Sequence, residues 1–404
     1  MKFIHFADAH LDSPFRGLSF LPTDEYERVR ASADESLTRI VDLAIAERVD
    51  LVLVAGDSFD SNKPSPASQL FFAKQLQRLT DAQIQVVMIF GNHDYMQASD
   101  LLVKQSPYFK LLGDGQEVER ADFVTKSGFK YSVTGFSYAQ NHIEEDMIPH
   151  FPPRGSEYAF GLMHAAQKAA SGNVYAPFAL NELKDLQYDY FALGHIHAGQ
   201  VLADDPWIVY PGNIQGRDIG ELGGKGCILG TVDEASGKTT IDFKPTASIV
   251  WRQVSLELAE SLSKSELEAR VVRELAQKCQ GKTYFSLELR GTEYLTDDQL
   301  EFWADEHSWE GVSQQLPADS RLVDVRFAVK GVVKLSGSDQ EAFKAAEAEV
   351  LADEQLKAAA KTWLKKDQLS QELFADPQFI AGLKQLVKVK LAERLAGLKG
   401  EIDK

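Results

Sequence analysis

The run Gln85-Val86-Val87-Met88-Ile89-Phe90 is wholly apolar after its first residue and stops at Gly91-Asn92-His93-Asp94. A short apolar run of this kind forms a buried strand. In open α/β sheets, chemistry collects just beyond the carboxyl ends of such strands. Asn92 and His93 are adjacent, so in extended backbone they point to opposite sides: one can hold a metal while the other reaches over a substrate. Taken alone, the stretch reads equally well as a polar turn. The pattern, however, recurs along the chain.

Phe3-Ile4-His5-Phe6-Ala7 is a first strand that delivers Asp8 and His10, two residues apart and therefore expected on one face. A carboxylate beside an imidazole suits a borderline or hard divalent metal. Asp50 to Ala55 is a second strand, ending in Gly56-Asp57-Ser58-Phe59-Asp60. Tyr158 to Met163 ends at His164, and Tyr190 to Leu193 ends at Gly194-His195-Ile196-His197, another pair expected on one face. Apolar residues at helical spacing predict helices over 34–48 and 66–80. Further strand-like runs lie at 116–137, 207–210, 226–232 and 239–243. The fold class expected is α/β, two sheets packed face to face with helices outside.

Nine histidines are present, and five of them (His10, His93, His164, His195, His197) follow strand-like runs directly. With Asp8, Asp57 and Asn92 they make a set of oxygen and nitrogen donors without thiolate. Such a set fits manganese, iron or magnesium-like ions better than a structural zinc site. A carboxylate has two oxygens, so a central Asp57 can bridge two ions. Two divalent ions outweigh two ligand carboxylates and leave about +2 to attract phosphate. His93 can then stabilise developing charge or protonate a leaving oxygen. His5 reads as a hydrogen-bonded core residue, and His142, His150, His307 and Glu144-Glu145-Asp146 as solvated surface.

Composition narrows the classes. With 43 Lys and Arg against 60 Asp and Glu, the net charge of −17 argues against coating nucleic acid by bulk charge. Two cysteines form no disulfide framework, and no signal peptide or membrane-length apolar run is visible, so the cytoplasm is the expected compartment. Gly220 to Gly226 contains Gly-Gly-Lys, but it is one residue short of a phosphate-binding loop and no Ser or Thr follows Lys225. The chain is not expected to be an ATPase itself.

From Val250 the pattern changes. Ser263-x-x-Glu266 and Thr296-x-x-Gln299 are capping boxes that open helices, with strand-like runs at 284–289 and 322–328. Residues 251–335 read as a small β-α-β-α-β domain without a catalytic cluster. Ser338-x-x-Glu341 opens another helix, and Asp376-Pro377 starts a last one that ends at Gly400. Along it Phe379, Ile380, Leu383, Leu386, Val387, Leu391, Leu395 and Leu398 form an apolar stripe. Lys384, Lys388, Lys390, Arg394 and Lys399 lie largely off it. A basic amphipathic helix ending an acidic chain is an expected partner surface.

Asp8-x-His10, Gly56-Asp57-x-x-Asp60, Gly91-Asn92-His93-Asp94, Gly161-x-Met163-His164 and Gly194-His195-x-His197, in that order, resemble the five motifs of the calcineurin-like metallophosphoesterases. The resemblance implies that one metal is held by Asp8, His10, Asp57 and His197, and the other by Asp57, Asn92, His164 and His195. It also implies His93 as the catalytic residue and two divalent ions, foremost Mn2+, as cofactors. Stretches 10–18, 91–95 and 210–217 look like the DNA-repair exonuclease branch, SbcD-like and most similar to the YhaO group. That branch implies a nuclease domain over 1–250, a capping domain over 251–335 and a helical partner-binding segment over 336–404. Its implied partners are DNA, contacted through its backbone, and an SbcC-like or YhaN-like coiled-coil ATPase. Homodimerisation is left open, and so is the role of Asp60, where some relatives carry histidine. The alternatives are a stand-alone phosphodiesterase or phosphatase on nucleotide or small substrates, and a non-enzymatic scaffold at DNA ends.

Overall fold

The computed structural model describes residues 1–15, 18, 20–155, 157–168, 174–328, 345, 348–360, 374, 380, 381, 383, 384 and 387. The chain divides into two compact units, Met1–Arg16 with Leu21–Val250, and Gly17–Phe20 with Trp251–Lys404.

The first unit carries strands β1 (Lys2–Phe6), β2 (Leu51–Ala55), β3 (Gln85–Ile89), β4 (Phe109–Leu111), β5 (Glu119–Val124), β6 (Lys130–Gly135), β7 (Tyr158–His164), β8 (Tyr190–Gly194), β9 (Gln200–Asp204), β10 (Trp207–Tyr210), β11 (Gly226–Val232) and β12 (Thr239–Pro245). Its helices are α1 (Thr23–Arg30), α2 (Ser32–Glu47), α3 (Pro66–Asp81) and α4 (Leu180–Asp185). Two six-stranded sheets result, in the orders β12-β11-β1-β2-β3-β4 and β5-β6-β7-β8-β10-β9. Strands β1 to β4 run parallel, as do β6, β7, β8 and β10. The chain is therefore α/β, with the expected strands in place. Four elements escape the sequence pattern: β4 is only three residues long, β9 is mostly exposed, α1 is largely polar, and α4 is six residues long.

Period-two alternation sorts the central strands between two cores. Ile4, Phe6, Val52, Val54, Val86 and Met88 pack with α2 and α3 residues Leu37, Ile40, Val41, Phe72 and Leu76. Phe3, Leu51, Leu53, Ala55, Val87 and Ile89 face the other sheet, meeting Tyr158, Phe160, Leu162, Tyr190 and Ala192. Each fully buried Val, Leu, Ile or Phe side chain contributes about 1.5–3 kcal/mol, so this double layer dominates the unit's stability. His5 lies in the inter-sheet layer. Its Nδ1 is 3.0 Å from the Tyr190 hydroxyl and its Nε2 3.1 Å from the Leu193 carbonyl, the satisfied core histidine expected. Burial pushes its pKa down to about 3, so it stays neutral.

In the second unit, β13 (Val250–Glu257), α5 (Lys264–Ala276), β14 (Thr283–Arg290), α6 (Asp297–Ala304), α7 (Glu310–Ser313) and β15 (Arg321–Ala328) build a three-stranded sheet in the order β13-β14-β15. Both capping boxes form: Ser263 accepts from the Glu266 amide, and Thr296 from the Gln299 amide. Leu267, Val271, Leu275, Phe285, Leu287, Leu289 and Trp303 make its core. Helix α8 (Asp353–Ala359) follows. The Ser338-x-x-Glu341 box, the start at Asp376-Pro377, the end at Gly400 and most of the apolar stripe lie outside the described residues. Ile380, Leu383, Lys384 and Val387 are helical; Ile380 is buried, and Lys384 Nζ pairs with Asp353 Oδ1 at 2.5 Å. Among the described residues no helix is long and apolar enough to cross a membrane.

Candidate metal centre

The inter-sheet layer opens at the carboxyl ends of β1, β2, β3, β7 and β8, and the candidate residues gather there. His164 is the last residue of β7 and fully buried. Gly194, which ends β8, leaves room for this approach: a Cβ there would lie 1.9 Å from the Ala55 carbonyl oxygen. The β1 and β2 loops are laced by main-chain bonds, Asp8 N–H to the Gly56 carbonyl at 3.1 Å and His10 N–H to the Asp57 carbonyl at 3.0 Å. Asp94 ties in the β3 loop, accepting from the amides of Gly91, Ser58 and Asp57 at 2.7, 2.6 and 3.2 Å.

Three local readings from the sequence are corrected here. Asp8 and His10 do bring donors to one group, but not through extended backbone: β1 stops at Phe6, and both residues sit in left-handed backbone with φ of 52° and 43°. His195 and His197 do not share a face. His195 has φ of 98° and turns its Nδ1 to within 3.0 Å of Asn92 Oδ1, whereas His197 Nε2 lies 3.1 Å from His10 Nε2. Asn92 and His93 separate through a bend rather than a pleat, Asn92 buried and His93 exposed. Positive φ at non-glycine residues costs on the order of 1–3 kcal/mol each and persists only where the surroundings enforce it. Asp57, with φ of 51°, makes a fourth such residue in one cluster.

The donor atoms converge in two neighbouring groups around Asp57. Asp8, His10 and His197 bring ligand atoms within 4.8 Å of one another, and so do Asp8, Asp57 and His164. Asn92 Oδ1 is 2.9 Å from His164 Nε2. Asp57 Oδ2 lies 3.4 Å from His164 Nε2 and 3.8 Å from His10 Nε2, between the groups. Ligands about 2.1 Å from a common ion in cis positions stand about 3 Å apart, so these spacings fit divalent metals.

The tautomers make the same point. His197 Nδ1 is 2.6 Å from Glu221 Oε1 and therefore carries its proton toward that carboxylate. His10 Nδ1 faces Asp60 Oδ1 at 3.2 Å, without a hydrogen bond of good geometry. If both Nδ1 atoms are protonated, the two Nε2 lone pairs point at each other across 3.1 Å, an arrangement that a cation or an extra proton must relieve. Burial opposes the proton on His10 and lowers its pKa. Burial would also raise the Asp57 pKa, but the charge and hydrogen bond of His164 hold it below the carboxylate range. His164 moves the opposite way: burial lowers its pKa, Asp57 more than compensates, and the result is about 9. A metal entering here takes the place of that proton.

The outer contacts were the least legible part in the sequence. Glu221 and Lys225 sit in the glycine-rich loop that failed as a phosphate-binding motif. Lys225, buried, donates to the His197 carbonyl at 2.6 Å. Asp94 closes the Gly91-Asn92-His93-Asp94 motif, yet only the folded loop reveals the three amide hydrogen bonds it accepts. Asp60 is turned to His10 and Arg217. His142, His150 and His307 are exposed as expected, although His142 stacks on Tyr175, whose ring also lies against that of His195 with centroids 4.3 Å apart.

Imidazoles, carboxylates and one amide converging at facing strand ends suit divalent ions, the kind of centre that metal-dependent phosphoester hydrolysis uses. Residues 1–199 match the family described as calcineurin-like phosphoesterase, and the chain carries a calcineurin-like metallophosphoesterase domain. It is similar to the metallophosphoesterase YhaO of Bacillus subtilis, 35% identical over 272 residues, 66% of this chain and 65% of that protein. It is also similar to the DNA double-strand break repair protein Mre11 of Sulfurisphaera tokodaii, 25% identical over 296 residues, 69% of each chain. The match thus spans less than two thirds of the length of the Bacillus relative. A solved dimetal phosphatase from Danio rerio aligns with 57% of this chain and 92% of its own, at 12% identity and a TM-score of 0.37.

Proposed function

We propose that this chain is the nuclease subunit of a DNA-repair assembly, a manganese-dependent exonuclease that hydrolyses phosphodiester bonds. The observation that carries it is the pair of donor groups flanking Asp57, Asp8, His10 and His197 on one side and Asn92, His164 and His195 on the other. When bound, two divalent ions would supply Lewis acidity and offset the charge that builds on the phosphoryl oxygens. The chain's own residues do the rest. Asp57 presents one oxygen to His164 and His10 while its other accepts the His93 amide at 2.8 Å. The His93 ring lies edge-on to His10, with centroids 5.0 Å apart, and its Nδ1 is 3.2 Å from the Asp60 carbonyl. With Nδ1–H given to that carbonyl, the imidazolium form of His93 has its Nε2–H left to donate to a leaving oxygen.

DNA as the substrate is supported by the similarity to Mre11, a DNA double-strand break repair protein. With Mn2+, the full-length protein is expected to shorten linear duplex DNA as well as to cleave a chromogenic phosphodiester. Turnover of the small diester with no cut in DNA would instead establish the stand-alone phosphodiesterase.

The proposed partner is an SbcC-like or YhaN-like ATPase that meets the last helix. Ile380 is covered within this chain, whereas Leu383 and Val387 stay half-buried one turn apart. Leu383→Asp with Val387→Asp is expected to abolish co-purification with the ATPase and leave hydrolysis of the small diester intact. Retained association would remove this helix from the interface.

A further inference from the structure

Arg217 stands between two carboxylates that back two of the candidate ligands. Its Nη1 is 3.1 Å from Asp60 Oδ1, and its Nη2 is 3.1 Å from Glu221 Oε1. Asp60 Oδ1 in turn lies 3.2 Å from His10 Nδ1, and Glu221 Oε1 lies 2.6 Å from His197 Nδ1. The far oxygen of Glu221 is fixed as well, accepting from the Arg217 amide at 2.8 Å and from Asn213 Nδ2 at 2.7 Å. One rigid guanidinium fork therefore sets the spacing of both imidazole supports. The other donor group is backed differently: His164 Nδ1 meets the Ala55 carbonyl at 3.0 Å, and the Tyr175 ring lies against His195.

We infer that Arg217 is a positioning residue that clamps Asp60 and Glu221 so that His10 and His197 form the tighter of the two metal positions. The inference rests on the two-ion reading of the site. Two effects of Arg217 oppose each other, which makes it testable. Its positive charge repels incoming cations, so its removal acting through charge alone would tighten both positions. Its hold on the two carboxylates keeps Asp60 beside His10 and Glu221 hydrogen-bonded to His197, and loss of such support typically costs about 10–100-fold in metal affinity. The clamp reaches one donor group only, so its loss must act on one position.

The test is calorimetric titration of the metal-free full-length protein with Mn2+. Wild type is expected to bind two ions in separable steps. Arg217→Met, close in length and uncharged, should weaken the tighter step about 10–100-fold and leave the other where it was. In a His195→Ala background, which removes a donor of the other position, the remaining step should fall by the same factor on adding Arg217→Met. Arg217→Lys can reach one carboxylate at a time and should fall between wild type and Arg217→Met. Glu221→Gln keeps the side-chain shape, so it reports on the clamp even if Arg217→Met unfolds, and it should weaken the same step. Equal weakening of both steps, tightening of both, or no change would overturn the clamp while the two-ion reading stands. A wild-type protein that binds no Mn2+ would overturn both.

Discussion

Asp57→Asn is expected to strip the site of both metals and bring phosphodiester hydrolysis to background. The residue is buried, its Oδ2 lies between His164 Nε2 and His10 Nε2, and its Oδ1 accepts the His93 amide. Asparagine keeps that last bond and the shape, so the main change is one lost charge shared by both donor groups. A bridging carboxylate counts for each ion, and a loss of affinity on the order of a hundredfold or more at both is the expected size. Elemental analysis of purified protein decides the matter: two full equivalents of metal on the variant would exclude Asp57 as the bridge. The metal-free protein gives a second readout. Asp57 raises the His164 pKa to about 9. The stability gained from protonated His164 is then complete below its unfolded value, near 6.5, and is lost as pH rises through about 9. Asp57→Asn should flatten that loss in a series of thermal melts across the same pH range.

His93→Ala should have the opposite signature, with metal retained and catalysis lost. His93 is exposed, its ring stands beside His10, and its Nδ1 is engaged by the Asp60 carbonyl. A positioned acid or charge stabiliser contributes about a hundredfold to ten-thousandfold, so kcat should fall by at least about a hundredfold. The competing assignment is specific, because His93 also approaches His10 and Asp60 closely enough to complete a third ligand group. Loss of one equivalent of Mn2+ from the variant, with turnover tracking the remaining occupancy, would make His93 a ligand and end its assignment as the catalytic residue.

Much of this architecture is legible in local sequence. Burial on both faces makes Leu51–Ala55 and the β3 residues after Gln85 continuous apolar runs, and a helix cap is a contact across three residues, as at Ser263 and Thr296. Edge strand β9 and the short helix α4 carry no such signal, because neither hides enough surface to impose a pattern. The residues at the strand ends were identifiable for a related reason. A run of apolar residues ending in histidine or aspartate places that side chain at the rim of the core, whatever the rest of the chain does.

By itself, then, the sequence determined which side chains reach the opening between the sheets: Asp8, His10, Asp57, Asn92, His93, His164, His195 and His197. Only the tertiary structure decided how they are aimed. Alternation along a strand ends where the strand ends, and beyond it left-handed backbone at Asp8, His10, Asp57 and His195 aims the candidate ligands, bringing Asp8 and His10 into one donor group and parting His195 from His197. The supports of those ligands lie further still from any local rule. Arg217 meets Asp60 across 157 positions of sequence, and Glu221 reaches His197 from a loop whose glycines suggested phosphate binding. Such contacts leave no periodic trace, since they depend on where two loops arrive once both sheets have packed.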